Sequence, residues 1–142
     1  MDGSIVGIGA FYSGKNYLRL STELVWQVLH FYPLTIVPTL LWRTLQLQAL
    51  MPAPAKNMHY VANFAVRAEM QSKQIGCSLL CYQQEIAKQL GRDIYALDVS
   101  VANLRAQAFY ERLGFKVIRR QQFKGKKGSV ADTLRMEMPV NR

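Results

Sequence analysis

The chain is 142 residues long, half of them hydrophobic, with two cysteines and a formal net charge of +9. That length suits one domain and that apolar share a sizeable core, without internal repeats or low-complexity tracts. No basic, apolar, small-residue leader reads as a secretory signal. Cys77 and Cys81 have no second cysteine pair and no nearby histidine, which argues against zinc. They are expected as reduced thiols, at least one packed on a sheet, in a cytoplasmic setting.

Ser4 to Tyr12 is rich in β-branched and aromatic residues and predicts a strand. Ser13-Gly-Lys-Asn16 predicts a turn. From Leu18 to Leu50 the character is helical, and no charged residue falls between Leu24 and Trp42. Gln27, His30 and Thr35 interrupt that run, and Pro33 and Pro38 each remove a helix hydrogen bond. The expectation is two short helices joined near Pro33, apolar because they cover a sheet face or meet a partner. A membrane-embedded segment is not expected. Pro52 to Asn57 reads as a linker.

His59 to Val66 is a near-continuous apolar run, as in a buried strand, with His59 expected at the surface where the strand starts. Arg67 to Gln74 is a polar loop, and Ile75 to Leu90 a helix that Gly91 ends. Cys77 and Cys81 share one face of it, where a disulfide would strain the helix. Asp93 to Ser100 is a second buried strand. Strand, helix and strand make a parallel βαβ unit with a right-handed crossover.

Asn103 to Phe115 opens with a capping residue and closes on a glycine suited to the left-handed helix end. Leu104, Ala108 and Leu113, with Phe109 beside them, are its expected apolar stripe. Strands at Phe115 to Gln122 and Ala131 to Val140 form a hairpin about a Gly/Lys turn. Seven basic residues and no acid lie between Arg112 and Lys127. They form a solvated face, or a field that attracts phosphates or an acidic substrate. Nucleic acid is the third reading, but no binding module is recognisable and no such partner is expected.

Asn103, Ala106, Phe109, Tyr110, Gly114 and Phe115 reproduce the pattern N-x-x-A-x-x-F-Y-x-x-x-G-F. On these residues, with the strand at Ala96 to Ser100 before them, the chain resembles a Gcn5-related N-acetyltransferase (GNAT superfamily). The resemblance is close from about His59 to Val140. It is loose over residues 4–20, which resemble that family's hairpin of second and third strands. It implies an α/β fold in a single domain, 1–142, with a mixed central sheet, helices on both faces and an atypical segment at 18–50. It also implies transfer of an acetyl group from acetyl-CoA to a primary amine, by direct attack in a ternary complex and without a metal. A non-catalytic CoA-binding or interaction module of the same fold is the alternative.

The family's pyrophosphate loop, [Q/R]-x-x-G-x-[G/A], corresponds to Gln71, Ser72, Lys73, Gln74, Ile75 and Gly76. Gln74 stands where the first glycine is usual, and an unstrained φ is expected of a glutamine. Phe64, Ala65 and Val66 match the end of the family's fourth strand, which splays from the fifth. Its backbone pairs with pantetheine and supplies the oxyanion donor. Tyr110 matches the tyrosine that protonates the CoA thiolate, and Asn103 the CoA-contacting asparagine. Plain packing and plain capping remain the other readings of those two. The strand at 59–66 carries no acid, so a water relay is expected in place of a named base. The family's first strand and two helices have no counterpart ahead of residue 4. Residues 18–50 replace them, or a second subunit completes the sheet, or the chain is part of a longer one; a homodimer is expected. Trp26, Phe31, Tyr32 and Trp42 hint at an apolar or aromatic acceptor unless they are core or interface.

Overall fold

The computed structural model describes residues 4–50, 53–124 and 130–140. In chain order the elements are β1 (Gly7–Ser13), α1 (Gly14–Phe31), α2 (Val37–Leu50), β2 (Met58–Val66), α3 (Ile75–Gln89), β3 (Ile94–Ser100), α4 (Leu104–Arg112), β4 (Lys116–Lys124) and β5 (Val130–Pro139). The five strands form one sheet in the order β1-β2-β3-β5-β4. β2 and β3 are parallel and joined through α3, and the other neighbours are antiparallel. The expected βαβ unit and C-terminal hairpin are therefore present; the hairpin's Gly/Lys turn lies outside the described residues, as does Pro52 of the linker.

The N-terminal part departs from expectation. Residues 4–20 are not a hairpin: β1 is a single strand, its partner is β2, and residues 13–16 run straight into α1 instead of turning. Gly14 answers a close approach, since a Cβ there would collide with the Pro54 and Ala55 carbonyl oxygens. The break between α1 and α2 falls at Pro33 as expected, and the Pro33 carbonyl accepts the Ile36 and Val37 amides at 2.9 and 3.3 Å. Pro38 sits in the first turn of α2, where its missing N–H costs nothing.

One face of the sheet is apolar. Val61, Tyr95, Leu97, Val99, Met136 and Met138 pack there with Leu80 and Ala87 of α3 and Tyr110 of α4. Alternation carries Tyr60, Asp98 and Arg135 to the other face. Tyr12 lies beside Tyr60 there, with ring centroids 5.3 Å apart, and Tyr17 of α1 lies 6.0 Å from Tyr12. Helices thus flank both faces. The free thiols Cys77 and Cys81 lie 3.9 Å apart on α3, Cys77 half-buried and Cys81 exposed.

Three burial expectations fail. β2 is buried only from His59 to Val61, and its Asn63 and Ala65 are exposed. Leu104 is 72% exposed and Ala108 is exposed, and the face α4 turns inward carries Ala106, Phe109, Tyr110 and Leu113. That i, i+3, i+4, i+7 set follows from where Asn103 starts the helix. His59 is buried at 4% exposure instead of lying at the surface. It pairs with Tyr95 across the parallel strands, stacks on Phe11 at 6.0 Å, and meets Gln83 Oε1 through Nε2 at 3.2 Å.

Burial, with help from Arg92, holds the His59 imidazole below its usual pKa, against the Gln83 contact. The unfolded chain takes up that proton near about pH 6.5 while the folded one does not. The stabilisation is therefore complete above the unfolded pKa and lost as pH falls below it. We expect the melting temperature to drop between about pH 7 and pH 5.5, and His59→Gln to flatten that drop. Parallel thermal melts of the two proteins check it.

Candidate functional site

β2 and β3 are paired over only four residues, from Met58 with Ile94 to Val61 with Leu97. Beyond that point β2 stays bonded to β1 as far as Val66, and β3 to β5 as far as Ser100. The sheet therefore forks. A bulge marks the fork on β2, because Ala10 opposes Asn63 and Phe11 opposes Val61, leaving Ala62 without a partner on β1.

The ladder decides which backbone groups the fork exposes. The Arg67 amide donates to the Val6 carbonyl at 2.9 Å, so Val6 and Arg67 are a bonded pair. In an antiparallel ladder bonded pairs recur every second residue, which assigns Ile8 with Ala65 and Ala10 with Asn63. Phe64 and Val66, between them, turn their amides and carbonyls toward the gap. The Val66 carbonyl accepts Gln71 Nε2 at 3.2 Å, which leaves the Phe64 and Val66 amides and the Phe64 carbonyl to a ligand.

The gap opens into a cleft of about 760 Å³, a size usual for small-molecule sites. Phe64, Ala65 and Val66 of β2 line it, with Gln71, Ser72, Gln74, Ile75 and Gly76 of the loop and α3, and Asn103 and Tyr110 of α4. Every residue matched to the family's cofactor and acid positions lines this cleft except Lys73, whose Nζ lies 3.5 Å from Met70 Sδ. The cationic side chains that do line it are Arg105 and Arg112. Sequence reading counted Arg112 in the basic stretch that could attract phosphates but passed over Arg105, although a spacing of seven sets the two on one face of α4.

The loop keeps a glycine's shape without the glycine. Gln74 has φ +60° and ψ 1°, and Ser72 has φ +63°, both left-handed. The unstrained φ expected of Gln74 is thus not what the chain adopts. Gln74 also makes no side-chain cap. The Ser78 amide is the first to reach back into the helix, to the Gln74 carbonyl at 2.9 Å. The amides of Ile75, Gly76 and Cys77 precede it and lack an intrahelical carbonyl, so they are available to an anion, with the positive end of the helix dipole behind them. Gly76 brings this turn close: a Cβ would stand 3.3 Å from the Phe109 ring and 3.5 Å from the Phe64 ring.

α4 closes the opposite wall. Asn103 Oδ1 accepts the Ala106 amide at 3.1 Å, so the side chain is a cap, and its Nδ2 is the group left for a ligand. Tyr110 is 8% exposed, and its ring lies 5.8 Å from Phe115. Burial raises its pKa above the ordinary phenol value, so the hydroxyl stays protonated. Phe109 stacks on Phe64 at 6.5 Å across the cleft. Among the described residues no acidic side chain lines it and no three potential metal ligands cluster.

Among solved structures, the ribosomal-protein-S18-alanine N-acetyltransferase from Escherichia coli is similar at 24% identity and TM-score 0.53, over 63% of this chain and 59% of that one. A crystal structure of an acetyltransferase is similar at 19% identity and TM-score 0.66, over 99% of this chain and 67% of that one. The NatC complex bound to Gag peptide and CoA is similar at 21% identity and TM-score 0.51, over 59% of this chain and 52% of that one. These likenesses speak for the fold, and the chain spans little more than half the length of the first and third. No curated protein matches it significantly. Residues 2–115 match the acetyltransferase (GNAT) family. With four-fifths of its sequence inside that match and a forked sheet of the same fold, the chain belongs to the GNAT acetyltransferase family.

Proposed function

We propose that this protein transfers an acetyl group from acetyl-CoA to a primary amine by direct attack in a ternary complex. One observation carries the reading: the unpaired edge of β2, the uncapped start of α3 and the buried Tyr110 phenol line the same cleft. The α3 amides and the Arg105 and Arg112 charges suit the pyrophosphate, and the Phe64 and Val66 backbone suits an extended pantetheine arm. When the amine nitrogen attacks the thioester carbon, the carbonyl oxygen gains charge and a β2 amide stabilises it. The C–S bond then breaks, the Tyr110 hydroxyl gives its proton to the departing thiolate, and solvent water takes the proton from the amine.

Three further features belong to this reading. The exposed Trp26, Phe31 and Leu34, at 74%, 77% and 78%, favour a homodimer that covers them. The same aromatic surface favours an apolar acceptor. The two free thiols favour a reducing, cytoplasmic setting. The non-catalytic rival draws on Gln74 in the glycine's place and on the lack of an acid in the cleft.

Calorimetric titration with acetyl-CoA, with CoA and ATP as controls, separates the readings when followed by a screen of amines. Saturable binding that prefers acetyl-CoA, with turnover, supports the enzyme; binding without turnover leaves the module; no binding sinks both. Given turnover, Tyr110→Phe should lower kcat about tenfold to a hundredfold with little change in acetyl-CoA affinity. Because burial raises the Tyr110 pKa, kcat/KM should rise with pH as the amine deprotonates and hold to about pH 10. An alkaline limb well below that pH would remove Tyr110 from the acid role. Gln74→Gly removes a left-handed side chain at the cost of backbone entropy. It should stabilise the fold by about 0.5–1 kcal/mol, read as a rise in melting temperature, and bind acetyl-CoA equally or more tightly.

A further inference from the structure

We infer that Tyr60, Asp98 and Arg135 form a brace across the fork that sets where the acetyl carbonyl lies, which makes them positioning residues for the transfer. This rests on the acetyl-transfer reading and adds to it residues from the sheet face opposite the cleft.

The placement carries the argument. Val61 and Leu97 are the last pair that β2 and β3 make. Asp98 is the first residue of β3 beyond that pair, and Tyr60 is the residue just before it on β2. The Tyr60 hydroxyl donates to Asp98 Oδ2 at 2.7 Å, spanning the two strands where their backbone bonds end. Arg135, opposite Asp98 on β5, donates through Nε to Oδ1 at 2.8 Å and through Nη2 to Oδ2 at 2.9 Å. Its guanidinium lies 5.2 Å over the Tyr60 ring. Three strands are thereby tied at one point. Arg135 and Asp98 side chains are 6% and 0% exposed, so solvent does not screen the tie.

A buried ion pair is weak evidence for stability, because apolar side chains of equal volume often serve as well. What apolar packing would not supply is a directed bond of fixed length between the two strands. The amides that face the gap belong to Phe64 and Val66, four and six residues along β2 from Tyr60. Between them and the fork no bond to β3 holds β2. The angle at which β2 leaves β3 therefore depends on β1 behind it and on the brace beneath it. Asp98 is no rival base, since Arg135 and Tyr60 occupy both of its oxygens.

Tyr60→Phe tests the brace. It keeps the ring and its contact with Arg135, deletes the bond between the strands, and leaves Asp98 its two bonds to Arg135. The protein is titrated with acetyl-CoA and with CoA, and its turnover is measured. We expect CoA affinity within about threefold of the parent, because the free amides suited to the phosphates belong to α3 and not to β2. The preference for acetyl-CoA over CoA should shrink, and kcat should fall about tenfold or more, as when an oxyanion donor is misaligned. Asp98→Asn weakens the same tie from the other strand and should move both readouts the same way, which covers the case in which Tyr60→Phe folds poorly. If the parent prefers acetyl-CoA and turns over, and both variants keep that preference and rate, the brace is overturned while the acetyl-transfer reading stands. A parent that binds neither ligand overturns that reading and the brace with it.

Discussion

Two parallel strands that stop bonding after four residue pairs govern the rest of this structure. Buried backbone amides and carbonyls need partners, so strands that part inside a sheet must find them elsewhere. Here each strand keeps its outer neighbour, β1 for β2 and β5 for β3, to the end of the fork. That arrangement leaves alternate groups of β2 unmatched and fixes which ones they are. α3 and α4 each begin just after the strand that has parted, so both helix N-termini meet at the open end. A crevice beyond the carboxyl ends of parallel strands is where α/β sheets bind their ligands, and the fork opens that crevice into a cleft of about 760 Å³.

The two helix starts at this crevice are handled in opposite ways. α4 is closed by its own Asn103, which takes up a first-turn amide. α3 is preceded by Gln74, which supplies no cap and holds a left-handed backbone that a side chain does not favour. Strain of this kind persists only where the surroundings impose it. Here the neighbours are the Gln71 bond to the end of β2 and the close seat of Gly76 under Phe64 and Phe109. The loop thus retains the shape that presents its amides, and Arg105 and Arg112 add charge that Lys73 does not bring to the cleft.

What the sequence disclosed was what is encoded locally. The cap at Asn103, the left-handed Gly91 and Gly114, the break at Pro33 and the existence of strand β2 are each read from a few neighbouring positions. The errors share a different origin. β1 could not be assigned its partner from residues 4–20, because pairing with β2 joins segments separated by two helices. The inner face of α4 was misread because Leu104 is apolar yet exposed, whereas Tyr110 carries a hydroxyl yet is buried. His59 was misplaced because the ring that covers it, Phe11, comes from β1. The bulge at Ala62 and the contacts among Tyr60, Asp98 and Arg135 exist only once three strands are aligned, so no local pattern announces them. The candidate site was legible almost residue by residue because a family motif marks it, and the exception, Lys73, falls in a loop whose side-chain directions depend on two left-handed residues.

The faces of the sheet divide the labour of the proposed reaction. A donor lying in the cleft occupies the α3 and α4 side of the fork, so an amine reaching the same carbonyl approaches from the other side. That side holds the Tyr60–Asp98–Arg135 cluster and Tyr12, with Tyr17 of α1 against it. α1 continues from there into the uncharged segment that exposes Trp26 and Phe31, and α2 exposes Trp42 at 60%. No helix among the described residues is long and apolar enough to cross a membrane. An apolar surface of this extent is stabilised by whatever removes it from water. Because α1 packs on the sheet face opposite the cleft, whatever covers these helices also shapes, on the proposed reading, the wall that an amine passes. On the proposed reading, association and acceptor choice are two consequences of the same exposed residues, and a substitution at Trp26 that alters one is expected to alter the other.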